Sequence, residues 1–222
     1  MNVNKIKNIR LIHRKEMWTL TFQGWIVTLL CIAALSLGIV TNLHSFLSVS
    51  SPVQADILAV EGWLPDEALK GAIAEFNSHS YKKLITTGLP LLKGSYLAEY
   101  NNFAELAAAT LIALGFDQQN LVAVPATDVI KYRTYAGAAA LRQWLEKSDL
   151  KGKSINIYTL GVHARRSWLI FKQVLAPIEV GVIAAKPIDY DPKKWWNYSA
   201  GVRSVIDETI AYIYARLVNW QI

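Results

Sequence analysis

The sequence predicts a three-layer α/β fold: a Rossmann-like, doubly wound, mainly parallel sheet preceded by one N-terminal transmembrane helix. Three observations carry this expectation. From residue 55 onward, short apolar runs alternate with helix-type runs, the pattern of βαβ units. The short runs are apolar at both parities, as in strands covered on both faces. Ahead of them, residues 17–55 contain no Asp, Glu, Lys or Arg, and about 20 apolar residues suffice to span a bilayer core as a helix.

The elements follow in order. Residues 25–40 are the most apolar part of the chain, with Trp18 and Trp25 on one side and His44 and Phe46 on the other, suited to the two interfaces. Five of the 23 basic residues and one of the 17 acidic ones fall in the first sixteen positions, so +4 of the net +6 is concentrated there. That bias keeps the N-terminus cytoplasmic and sends the remainder out of the cytoplasm, across the inner membrane. The expected organisation is therefore a basic cytoplasmic segment (1–16), an anchor (17–47), a linker (48–54) and an α/β domain (55–222). A signal peptide ending at Val53-Gln54-Ala55 is the competing reading. The roughly fourteen residues between Val40 and that site are long for one, so the anchor reads as uncleaved. Cys31 is the only cysteine and allows no intrachain disulfide. The small remaining charge, +2, argues against a nucleic-acid surface.

Within the domain, strands are expected at 55–61, 83–87, 121–124, 154–160 and 180–184. Helices are expected at 66–76, with Pro65 at the start and acids in the first turn; at 96–114, closed by Gly115; at 134–145, with Thr134 as N-cap; at 168–175; and from about 203 to 217.

Open α/β sheets bind ligands outside the carboxyl ends of their strands. The first strand ends in Glu61-Gly62-Trp63 and the second in Thr86-Thr87-Gly88. Lys131-Tyr132-Arg133-Thr134 follows the third, and the fourth runs into Gly161-Val162-His163-Ala164-Arg165-Arg166. Gly161 permits a sharp turn, and His163 and Arg166, three apart, share a helix face. Cations at a helix start make most sense with an anion beside them. The set predicts an anion pocket in which Arg133, Thr134 and Arg166, with the Thr87 hydroxyl and the Gly88 N–H, hold the ligand. His163 and Glu61 form an acid–base pair. His163 has no companion at metal-ligand spacing, no Gly-rich nucleotide fingerprint is present, and no Ser lies in a Gly-x-Ser-x-Gly elbow. A methyltransferase-type cofactor would need an acidic residue at the end of the second strand, where Thr86-Thr87 stands.

These strand-end residues resemble the YdcF-like family, over about residues 55–222. His163-Ala164-Arg165-Arg166 matches its His-x-x-Arg motif, Thr87-Gly88 falls at its Ser-Gly-Gly turn, Arg133-Thr134 at its Asn-Thr, and Glu208 at a Glu near its C-terminus. The chain departs from the family at Glu61-Gly62-Trp63, where the family turn is Gly-rich, and at Ala136-Gly137, where the family has Glu-Asn. A family carboxylate in the second helix corresponds to Glu99 or Glu105. The resemblance implies a Rossmann-like fold and, for anchored members, a place at the bacterial cell envelope. The expected function is binding of a phosphate-bearing or nucleotide-like small anion, with hydrolase or transferase chemistry in envelope biogenesis. A non-catalytic envelope-biogenesis or ligand-binding factor is the alternative.

Overall fold

Five parallel strands stand in the order β3-β2-β1-β4-β5 in the computed structural model, which describes residues 17–91, 99–150 and 153–217. They are β1 (Ile57–Glu61), β2 (Lys83–Gly88), β3 (Leu121–Pro125), β4 (Ile155–Leu160) and β5 (Val180–Ala185). The chain starts at the centre, winds outward through β2 and β3, then returns to the other side of β1. This puts a topological switch point between β1 and β4, the place where such sheets open a crevice.

Alternation along the strands sorts side chains between two apolar layers. Ile57, Ala59, Ile85, Ile155 and Ile157 face α4 (Arg133–Lys147), α5 (Ala164–Leu175) and the Ala215 end of α6 (Ser199–Leu217). Leu58, Val60, Leu84 and Tyr158 face α2 (Asp66–Ser78) and α3 (Phe103–Ala113). By the same parity, Glu61 and Thr87, register partners at the ends of β1 and β2, lie on the α4/α5 side.

The chain divides into two units between Val40 and Thr41. In the first, α1 (Phe22–Leu47) begins; it is the one helix among the described residues long and apolar enough to cross a membrane, and its apolar window buries nothing. At 1.5 Å per residue its 26 residues measure about 39 Å, against about 30 Å of bilayer core. In the second unit, the last turn of α1 is already domain: His44 and Leu47 are buried, and Phe46 and Tyr212 meet edge to face.

The expected linker, 48–54, is docked. Ser51 pairs with Val182 on the outer edge of β5, Ser50 Oγ accepts from Ala184 N–H, and Val53 is held by both ends of the Asn156 amide. It therefore closes an edge that would otherwise expose unpaired backbone groups.

Several helix boundaries differ from expectation; α5 begins at Ala164, four residues ahead of the expected 168. Helix α3 starts at Phe103, because Asn102 caps it by accepting from Glu105 N–H at 2.8 Å; residues 96–98 of the expected helix, like residues 1–16, lie outside the described residues. Thr134 is not the N-cap of α4. Tyr132 holds that place in a left-handed conformation (φ 60°), and Thr134 lies inside the first turn. Helix α6 begins at Ser199, ahead of the expected start near 203.

Candidate functional site

All seven residues expected to form the site line one cleft, of about 570 Å³, at the β1/β4 switch point: Glu61, Thr87, Gly88, Arg133, Thr134, His163 and Arg166. The sheet delivers the first three. After β4, Gly161 turns in the left-handed region (φ 44°), and a single 3₁₀ turn ending at His163 leads into α5. Helix α4 adds Arg133 and Thr134, and α6 adds Glu208.

The floor is a buried network of two carboxylates and two cations. Glu208 Oε1 is 2.8 Å from His163 Nδ1, and its two oxygens take the Arg166 fork, from Nε at 2.8 Å and Nη2 at 3.0 Å. Arg166 Nη1 donates to Thr134 Oγ1 at 3.1 Å. Glu61 Oε2 accepts from the hydroxyls of Thr159 and Ser167, and lies 3.5 Å from His163 Nε2, an ion-pair distance beyond a good hydrogen bond. Among the described residues, buried Nε2 has no hydrogen-bond partner. Trp63 meets the imidazole edge to face at 5.0 Å.

These contacts set the protonation states. Burial opposes the charge on His163, but Glu61 and Glu208 outweigh it and push the imidazole from 6.5 up to about 9. Burial likewise opposes ionised Glu208, yet hydrogen bonds from His163 and Arg166 hold it down at about 2. Glu61 is lowered as well: His163 and the Thr159 hydroxyl overcome its desolvation. At neutral pH the floor thus carries two negative and two positive charges. Because Glu208 is ionised, its 2.8 Å contact is a hydrogen bond only with the proton on Nδ1, and Arg166 Nη2, 2.9 Å from that nitrogen, then faces it as a second donor while bonding Glu208 Oε1. The titrating nitrogen is then Nε2, the one beside Glu61.

The expected roles of several residues change. Arg166 is committed to Glu208 and Thr134, so its charge is already matched. Arg133 is exposed, and no ion pair or hydrogen bond engages it among the described residues, leaving it as the cation open to a ligand at the rim. Gly88 and Gly62 serve close packing. A Cβ at Gly88 would lie 2.6 Å from Ala104 N, and one at Gly62 would run into Phe103 O, so both glycines admit the start of α3 against the strand ends. Arg165 points away, its guanidinium 4.0 Å above the Phe46 ring.

Sequence reasoning left out Thr159 and Ser167. Each carries a signal: Thr159 shares the parity of Ile157, and Ser167 is four residues, about one helical turn, past His163. Glu208 entered only through the resemblance. Neither Glu99 nor Glu105 lines the cleft. No protein-family model, curated protein or solved structure matches the chain.

Proposed function

We propose that this is a membrane-anchored protein of the bacterial cell envelope, a divergent relative of the YdcF-like family. Its domain lies outside the cytoplasm and binds a phosphate-bearing small molecule in the β1/β4 cleft for hydrolysis or group transfer. The observation that carries the reading is His163 Nε2, buried, without a hydrogen-bond partner among the described residues and held at a cleft wall by Glu208. Arg133 and the Thr87 hydroxyl, which makes no hydrogen bond to a described residue, are the groups for the anion. The protonated imidazole is the general acid: the bond from phosphorus to the leaving oxygen breaks, and that oxygen takes the Nε2 proton.

Attacking and leaving oxygens stand on opposite sides of the phosphorus. Glu61, 3.5 Å from Nε2, is too near the acid to serve the far side. It keeps His163 charged; the proton released by the attacking water or alcohol passes to solvent, from which His163 is reprotonated.

The test is turnover of a panel of phosphomonoesters by the full chain. His163→Ala lowers turnover by about 10²–10⁴-fold. Absence of both turnover and anion-dependent thermal stabilisation in the wild type overturns the reading. One observation favours the non-catalytic alternative, a ligand-binding envelope factor: the floor is charge-balanced and Arg166 is fully engaged. Anion binding that survives His163→Gln, with no turnover, selects it. For topology, a reporter active only outside the cytoplasm works when fused after Ile222, and activity of only a cytoplasmic reporter there overturns the orientation.

A further inference from the structure

The cleft has two chemical halves. Its floor is the charged network; its mouth is apolar and aromatic. Ile130, 98% exposed, stands on the segment leading to α4, opposite Tyr214 and Ala211 of α6, with Trp63 and Phe103 continuing the lining. The Tyr132 and Tyr214 hydroxyls lie 3.4 Å apart across this opening. Scattered surface isoleucines are ordinary. Here, however, a fully exposed isoleucine and two partly exposed aromatics, Trp63 and Tyr214, share one rim directly above a polar floor. Helix α6 extends the apolar surface outward through Ile210, 63% exposed.

We infer that the ligand of this cleft is an amphiphile, a phosphate ester of a hydrocarbon chain, whose head reaches the floor and whose chain lies in the mouth between Ile130 and α6. The inference rests on the phosphate-binding reading above and selects a substrate class within it. A nucleotide would ask for different groups. Rossmann-like sheets place a carboxylate at the end of the second strand for the ribose, and β2 ends here in Thr87-Gly88. The mouth offers the two tyrosine hydroxyls, already close to one another, and Arg133, a poor set for reading a base edge. An aliphatic chain needs only apolar contact, which Ile130, Ala211 and the ring faces supply. The same chain carries a helix apolar enough to enter a bilayer, where such amphiphiles reside.

The experiment titrates the purified full chain with n-alkyl phosphates from methyl to octyl, with octanol, and with a nucleoside monophosphate. Affinity rises about threefold to fourfold per added CH₂ until the mouth is filled, and octyl phosphate binds more tightly than the nucleotide. Ile130→Ser, at a site too exposed to affect folding, flattens the chain-length dependence. Ile112→Ser, an exposed isoleucine of α3 outside the cleft, leaves it intact. Phosphate binding independent of chain length overturns the inference while the phosphate reading stands. So does a slope that persists in Ile130→Ser, or tighter binding of the nucleotide. If octanol matches octyl phosphate and both depend on Ile130, the apolar mouth stands and the phosphate reading falls. If nothing binds, both fall.

Discussion

The two faces of the sheet have the same architecture and opposite chemistry. Under α2 and α3 the strands meet an apolar layer, and its polar side chains are spent on structure: the Thr86 hydroxyl donates to Ala104 O at 2.8 Å, and the Asn156 amide holds Val53 and Tyr81. Under α4, α5 and α6 the layer is equally apolar at depth but ends in Glu61, Thr87 and Thr159, with His163, Arg166 and Glu208 closing over them. Thr86 and Thr87 are neighbours in sequence, and the pleat alone sends them to these two environments. A buried apolar layer needs only matched volumes. A buried charged layer needs every partner present, because one missing group leaves another uncompensated.

The largest expected difference comes from removing one partner on each face. Glu208→Gln leaves His163⁺ and Arg166⁺ adjacent without their carboxylate and costs about 3–5 kcal/mol in denaturant unfolding. Leu111→Ala, on the α2/α3 side, costs a similar amount, about 2–5 kcal/mol, by opening a cavity. The two are told apart by pH: with Glu61 still beside it, the His163 imidazole titrates lower in Glu208→Gln than in the wild type, and is unchanged in Leu111→Ala. Equal imidazole titration in both variants would remove Glu208 from the site.

Next comes the pH dependence itself. The folded His163 value, about 9, lies above its ordinary 6.5, so its contribution is complete below 6.5 and is lost as pH rises through 9. The folded Glu208 value, about 2, lies below its ordinary 4.5, so its contribution is complete above 4.5 and is lost as pH falls through 2. Stability therefore has a plateau between about 4.5 and 6.5, with an alkaline fall on the order of 3 kcal/mol. Thermal unfolding across pH 5–10 checks this, and a wild-type profile flat from 6.5 to 9 contradicts the charged imidazole.

The smallest effect is the sharpest comparison. Thr86→Val deletes the bond to the Ala104 carbonyl and costs about 0.5–1.5 kcal/mol of stability without touching ligand binding. Thr87→Val changes stability by less than about 0.5 kcal/mol and weakens anion binding. A reversal of this pair, read by thermal shift with and without inorganic phosphate, would assign the cleft to the wrong face.

The sequence by itself determined the α/β class, the five strands and the apolar N-terminal helix, because these follow from local periodicity and from uncharged length. It also brought seven site residues to one edge, because parallel strands all end on the same side. What it left open were the partners. His163 and Glu208 are 45 residues apart, and Glu61 and Ser167 106. Nothing local in α6 distinguishes Glu208 from Asp207, which faces outward. Arg166 reads from sequence as a cation awaiting an anion, and only the packing of α6 across α5 shows that the anion is Glu208. Gly88 reads from sequence as a ligand-binding turn, and only the approach of Phe103 and Ala104 shows that it also admits a helix. Periodicity fixes which face a side chain takes; which charge it meets there depends on elements distant in the chain and is settled only when they pack.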